Sequence, residues 1–158
     1  MQTITQTPEE KPVLNFTGTV AQIIADDIDE QDIEKIVMDL GSEWPRIVAL
    51  ASQLRVEYEE CLDFEVSNYE STGIEACGET WEVYDGEEME TAWDESLQNY
   101  VDDVILPEIP EHYHDFFNKE GWKDHAKSDG VGHCLNFYDG HHHEIEVYNT
   151  TYHLFRQN

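Results

Sequence analysis

The chain has 158 residues, with 36 Asp and Glu against 8 Lys and Arg, so its formal net charge is −28. Phosphate contacts need Lys and Arg, so this balance excludes direct nucleic-acid binding and disfavours docking on an anionic membrane. Disordered acidic tails lack apolar material, whereas 39% of these residues are hydrophobic and 11% aromatic, so we expect a folded protein.

The acidic residues are spread along the whole chain. Residues 1–79 and 80–158 each hold 18 acids and 4 bases, and residues 56–118 hold 20 acids without a Lys or Arg. The same basic-free stretch contains ten aromatic residues, which indicates a packed interior under a surface of one sign. We expect residues 1–12 to form a flexible polar leader and residues 13–158 a single acidic domain.

The first predicted elements are helices. A short apolar stretch at residues 20–24 is compatible with a short helix. Apolar residues recur at helical spacing over 33–40, with Asp29 as a plausible N-cap and Gly41 as the stop. A longer apolar stripe over residues 47–62 predicts one continuous helix after Pro45, with Glu57 and Glu60 one turn apart on its far side.

A strand and a second long helix are predicted next. Trp81 and Val83 indicate a short strand that leads into a turn at Tyr84-Asp85-Gly86. Apolar residues over 93–104 then repeat at helical spacing, and Pro107 and Pro110 end that helix. Two shorter helices are expected around residues 112–117 and 120–127.

The C-terminal part alternates in the manner of strands. Residues 134–138, 145–148 and 152–155 predict two or three short antiparallel strands, with a turn at Asp139-Gly140. The predicted fold class is therefore α+β, with a mostly helical body and a small C-terminal antiparallel sheet.

Histidines are concentrated in the last third of the chain, at His112, His114, His125, His133, His141, His142, His143 and His153. The HExxH pattern of helical metalloproteases is absent, because His143-Glu144 is followed by Ile145, Glu146 and Val147. Successive residues of the 141–143 run face opposite ways on a strand, so at most two of them face one ion without help from elsewhere. We predict no metal and no cofactor, and expect the acidic surroundings to raise the histidine pKa values.

Motifs of catalysis are also missing. The sequence has no GxSxG elbow and no phosphate-binding loop, and Cys134 beside His133 is more simply a buried thiol than a nucleophile. The three cysteines Cys61, Cys77 and Cys134 form no disulfide framework, and no apolar run approaches the ~20 residues of a membrane span. We therefore expect a cytoplasmic protein that is not an enzyme.

Twenty-eight net negative charges equal those of about 14 base pairs of duplex DNA, because each base pair carries two. A protein that grips phosphates with Lys and Arg would accept such a surface, provided that its carboxylates are held on rigid helices. In size, acidity and low content of basic residues the chain resembles the DNA-mimic inhibitors encoded by phages and mobile elements, of the antirestriction and anti-CRISPR type. The resemblance carries no motif, so no family residue is transferred; it implies a restriction–modification enzyme, a CRISPR effector or another host DNA-binding protein as the target, in the host cytoplasm.

The predicted partner is thus a basic DNA-binding protein or nuclease, and a homodimer is left open. The predicted contact residues are the carboxylates of the helical segments, namely Glu57, Glu60, Glu87, Glu88, Glu95, Asp102 and Asp103, followed by Asp26, Asp27, Asp29 and Glu30. Two alternatives stay open: an immunity or antitoxin protein that blocks one basic nuclease, and a metal-binding protein that uses the C-terminal histidines.

Overall fold

A computed structural model describes residues 30–67, 72–147 and 149–158. The predicted leader, the predicted helix at residues 20–24 and the carboxylates of Asp26, Asp27 and Asp29 lie outside the described residues. Within the described ranges the fold class is α+β, as predicted: helices surround an antiparallel five-stranded sheet. Nowhere in these ranges does a helix have the length and apolarity that crossing a membrane requires.

Three helices precede the sheet: α1 (Glu30–Leu40), α2 (Trp44–Leu54) and the single turn α3 (Tyr58–Cys61). The predicted stop of α1 is confirmed, because Gly41 takes a left-handed φ of 87° and donates its N–H to the carbonyl of Val37 at 2.8 Å.

The prediction of one helix over residues 47–62 is wrong. Arg55 adopts the left-handed conformation (φ 60°, ψ 40°), and the next N–H, that of Val56, bonds to the carbonyl of Ala51. These bonds end α2 before α3 begins. The apolar stripe continues across the break because Tyr58 and Cys61 pack into the same core, so the stripe indicated burial and not helical continuity.

The sheet contains β1 (Glu65–Val66), β2 (Gly73–Ala76), β3 (Glu79–Tyr84), β4 (His143–Val147) and β5 (Thr150–Arg156), in the order β1-β2-β3-β5-β4. Every neighbouring pair is antiparallel. Cys77 and Gly78 both have positive φ, which is the conformation of a two-residue hairpin turn, and they join β2 to β3. The sheet is thus larger than predicted, since three of its strands come from the middle of the chain.

Two C-terminal strands are confirmed, but the predicted strand at residues 134–138 is wrong. A short helix, α6 (Val131–Leu135), runs into a turn that the buried side chain of Asn136 organises. The side-chain oxygen of Asn136 accepts hydrogen bonds from the N–H groups of Tyr138 and Asp139, and its side-chain amide donates to the carbonyl of His141. This local network outweighs the β-propensity of the aromatic residues.

The predicted helix over residues 93–104 is confirmed as part of α4 (Gly86–Tyr100), which continues through a π-helical turn (Val101–Ile105) and a 3-10 turn (Leu106–Glu108). The two shorter helices are confirmed as a 3-10 helix (Glu111–Phe116) and α5 (Lys119–Ala126). Asp85 begins α4 as its N-cap and does not form a hairpin turn: it accepts the N–H of Glu88, and Glu88 in return accepts the N–H of Asp85.

Helices cover both faces of the sheet. One face packs on α1 and α2 around Ile36, Leu50, Val83 and Leu154. The opposite face packs on α4 and α6 around Phe155, which is completely buried. Burial of such a side chain stabilises the fold by roughly 2–3 kcal/mol, so this packing fixes α4 firmly on the sheet.

Candidate functional site

The outward side of α4 carries carboxylates. Glu87, Glu95 and Asp102 fall within an arc of about 80° at 3.6 residues per turn, whereas Asp103 lies about 80° beyond that arc. All four are exposed, while Met89, Leu97 and Val101 on the other side are buried and hold the helix on the sheet and on α6. These four residues, Glu87, Glu95, Asp102 and Asp103, are called the α4 acidic face below.

Arg46 of α2 is largely buried, with its side chain 11% exposed. It donates to Glu43 at 2.7 Å, to both oxygens of Glu88 at 2.6 and 2.7 Å, and to the carbonyl of Val83 at 2.9 Å. Burial alone would lower the pKa of Arg46, but the two carboxylates outweigh it and raise that pKa. The positive charge of Arg46 is therefore neutralised within the fold, where it links α2 to the start of α4.

Most other cations of the described ranges contact carboxylates or rings of the chain itself, with the exception of Arg55, which is exposed and forms no ion pair with the described residues. Lys123 of α5 is 5% exposed and pairs with Asp94 and Glu120, each at 3.1 Å. Lys35 pairs with Asp39 at 2.8 Å. The remaining contacts are those of Lys127 over the Trp93 ring, Arg156 over the Tyr138 ring and beside Glu79, and Lys119 at 3.7 Å from Asp102. The carboxylates of the described ranges that form no such ion pair lie almost entirely on the surface.

Glu88, one of the predicted contact residues, has a different role from its neighbours. Burial raises the pKa of its carboxyl, but the bonds from Arg46 and from the N–H of Asp85 outweigh burial and lower it. Its carboxylate is thus a structural link between α2 and α4. The spacing Asp85-x-x-Glu88 is a capping-box signature, and it is the sequence signal that could have indicated this role.

Glu57 and Glu60 do not share a helical face. Glu57 is extended and precedes α3, while Glu60 lies within it, because the chain breaks at Arg55. Both are exposed and belong to a separate acidic region that includes Glu59, Asp63 and Glu65. Glu30 is the first residue of α1.

A groove lies beside the C-terminal end of the α4 acidic face. Tyr100 stacks on Trp122 of α5 with ring centroids 5.6 Å apart and an interplanar angle of 3°. These two rings, with Cys134 and the 73%-exposed Phe137, line a cavity of about 450 Å³. Burial raises the pKa of the Cys134 thiol, which argues against a reactive thiolate here.

His142 and His143 belong to different groups of ligand atoms, as the predicted alternation along the strand requires. One of the groups is completed by His153 of β5. His142, Glu144 and His153 bring three ligand atoms together, and Asp139, His141 and His143 form a second group. Here His142 Nε2 lies 2.7 Å from His153 Nδ1, and Glu144 Oε2 lies 3.6 Å from each of these nitrogens. We call His142, Glu144 and His153 the histidine triad.

The expectation of raised histidine pKa values is wrong for two residues of the run. Burial lowers the pKa of His142, and its neighbour His153 lowers it further despite Glu144. Burial also lowers the pKa of His143, which outweighs Asp139. Burial therefore opposes the effect of the acidic composition on the pKa values of these two imidazoles.

Comparisons with known proteins add nothing to this geometry: no protein-family model, no curated protein and no solved structure matches the chain.

Proposed function

We propose that this chain is a non-enzymatic inhibitor that places the α4 acidic face in the DNA-binding cleft of a host defence enzyme or another basic DNA-binding protein. The observation that carries the proposal is the internal use of the cations. Within residues 30–67, 72–147 and 149–158, Glu87, Glu95 and Asp103 form no ion pair with Lys or Arg, while Arg46 and Lys123 are held inside. A cationic cleft would therefore meet carboxylates that have not been neutralised.

The dimensions of the face suit a short duplex. Glu87 and Asp102 are fifteen residues apart, which is about 22 Å along a helix axis. A DNA strand places one phosphate every 3.4 Å, so this length corresponds to roughly six or seven base pairs. The face carries fewer charges than that duplex, and the rest of the attraction comes from the summed field of the −28 body.

The groove beside the face supports a protein as the partner. Binding energy in protein interfaces concentrates in aromatic anchors surrounded by polar contacts. Phe137 is 73% exposed and Tyr100 49% exposed, and both line the groove at the end of α4. A cytoplasmic site of action belongs to the same proposal, and it suits three free thiols, Cys61, Cys77 and Cys134.

The test is displacement of proteins from DNA. Bacterial lysate is loaded on immobilised duplex DNA at low salt, the purified chain is added, and released proteins are identified. We expect selective release of one or a few basic proteins, with the effect lost at high salt because the attraction is screened. Polyglutamate of equal total charge is the reference: if it releases the same proteins equally well, the arranged face contributes nothing and the proposal is wrong.

A matched pair of variants locates the effect. The first reverses the α4 acidic face (Glu87→Lys, Glu95→Lys, Asp102→Lys, Asp103→Lys). The second makes the same change in net charge elsewhere on exposed residues (Glu59→Lys, Asp63→Lys, Glu65→Lys, Glu75→Lys). Release that survives the first set and fails with the second would contradict the assignment to α4. If the chain binds a protein without releasing it from DNA, the result would instead favour an immunity protein that binds beside the active site.

A further inference from the structure

The register of the β4–β5 hairpin places three ligand side chains on one face of the sheet. Glu144 of β4 lies directly opposite His153 of β5. His142 precedes Glu144 by two residues, and side chains two apart on an extended segment point to the same side. Strand pairing therefore brings the three side chains to one side of the sheet, and the 56%-exposed side chain of Glu144 completes the group.

The separations of the three donor atoms match one metal coordination sphere. The donors form a triangle with sides of 2.7, 3.6 and 3.6 Å. The point equidistant from its corners lies about 1.9 Å from each donor, close to the 2.0–2.2 Å that Zn²⁺ keeps to imidazole nitrogen and carboxylate oxygen. Donors of a tetrahedral zinc site lie about 3.3 Å apart, so the two imidazole nitrogens, now hydrogen-bonded at 2.7 Å, would separate by roughly 0.6 Å to admit the ion.

Packing holds the two imidazoles in place. The His142 ring stacks on Phe155 with centroids 5.1 Å apart and on His153 with centroids 5.0 Å apart. The side chains of His153 and His142 are 12% and 27% exposed, whereas that of Glu144 is 56% exposed. Two oriented imidazoles with one solvent-accessible carboxylate leave a fourth position open to water.

We propose that the histidine triad, His142, Glu144 and His153, binds one divalent metal ion of the zinc class, with water as the fourth ligand. Two imidazoles and one carboxylate suit Zn²⁺ and disfavour Mg²⁺ and Ca²⁺, which prefer oxygen donors. The ion links the segment before β4 to β5. This inference is independent of the proposed inhibitory function.

The second group, on the other face of the strand, is a weaker candidate. His143 Nδ1 already lies 3.3 Å from the amide of Gln53, and the His143 ring contacts Trp81 with centroids 5.7 Å apart. His141 is 69% exposed, and its Nδ1 is 3.4 Å from Asp139. A metal ion in the triad would replace a hydrogen bond that two of its own ligands make with each other, whereas in the second group it would compete with Gln53 for His143, and His141 is largely exposed.

The test is calorimetric titration of the untagged, chelator-treated chain with ZnCl₂ at high salt and with Mg²⁺ in excess, which suppresses diffuse binding to the acidic surface. We expect one Zn²⁺ per chain. Glu144→Gln should weaken binding at least ~10-fold and His153→Gln at least ~100-fold. Co²⁺ in place of Zn²⁺ should give the intense visible absorption of a four-coordinate site, and Glu144→Gln should remove it.

The matched control is Glu146→Gln, which makes the same charge change two residues further along β4 at an exposed position outside the triad. We expect its zinc affinity to stay within about twofold of the parent, as for independent sites. Equal losses in Glu144→Gln and Glu146→Gln would mean diffuse binding and overturn the proposal. A single zinc lost in His141→Gln but kept in His153→Gln would also overturn it, because the ion would then occupy the second group. Thermal unfolding of each unloaded variant separates lost ligands from lost structure.

Discussion

The α4 acidic face and the histidine triad are both rich in ionisable side chains, but they are built in opposite ways. On the α4 acidic face the carboxylates are spaced along the helix and its π-helical extension and point into solvent, and only Asp102 has a basic partner, Lys119 at 3.7 Å. In the hairpin the three donors come from a strand, the residue before it and the neighbouring strand, and they converge within 3.6 Å. Separated charges create a long-range field, whereas convergent donors create a site for one ion.

This difference predicts that the two regions can be disabled independently. Reversal of all four residues of the α4 acidic face should weaken partner binding at least ~100-fold, because attraction is replaced by repulsion at several positions at once. Zinc affinity should stay within about threefold, since the triad is held by strand register. Calorimetry on the same preparation measures both, and a parallel loss of zinc binding would contradict the separation.

The sequence predicted the second half of α4, because the apolar residues from Trp93 onward repeat at helical spacing, but it missed the first half, which begins at the capping box of Asp85 and Glu88. The break at Arg55 could not be predicted from the sequence, because the left-handed conformation there is adopted by a residue other than glycine. Periodicity also does not say which residue lies opposite Glu144. That pairing with His153 requires the strand register, so the histidine run was recognised while its convergence was missed.

The largest effect on folding is expected where a cation is used internally. Arg46→Met should lower the free energy of unfolding by about 2 kcal/mol, since it leaves the carboxylates of Glu88 and Glu43 without their donor. The half-exposed pair Lys119 and Asp102 provides the control: Lys119→Met should change stability by less than about 0.5 kcal/mol. Urea unfolding measures both, and equal effects would show that Arg46 holds no special position.

Acidification should remove the contribution of Glu88 to the free energy of unfolding. The carboxyl has a lowered pKa in the folded chain, so it stabilises the fold fully above its unfolded pKa of about 4.5 and loses this contribution as the pH falls through its folded pKa. The stability difference between the parent chain and Glu88→Gln should therefore be about 1 kcal/mol at pH 6, reduced by the partial exposure of the side chain, and should shrink towards pH 3. Urea midpoints across this range test it; a difference that grew on acidification would mean that the pKa is raised.

The smallest effect is expected for one residue of the α4 acidic face. Glu95→Gln removes one exposed carboxylate from a crowded field, so it should leave stability unchanged or raise it by at most ~0.5 kcal/mol. Its effect on partner binding should be no more than about fivefold, since one surface charge contributes about 0–1 kcal/mol. If Glu95→Gln abolished binding while the protein stayed folded, one specific contact would carry recognition. The cumulative mimicry of a phosphate backbone would then be the wrong explanation for the acidity of this chain.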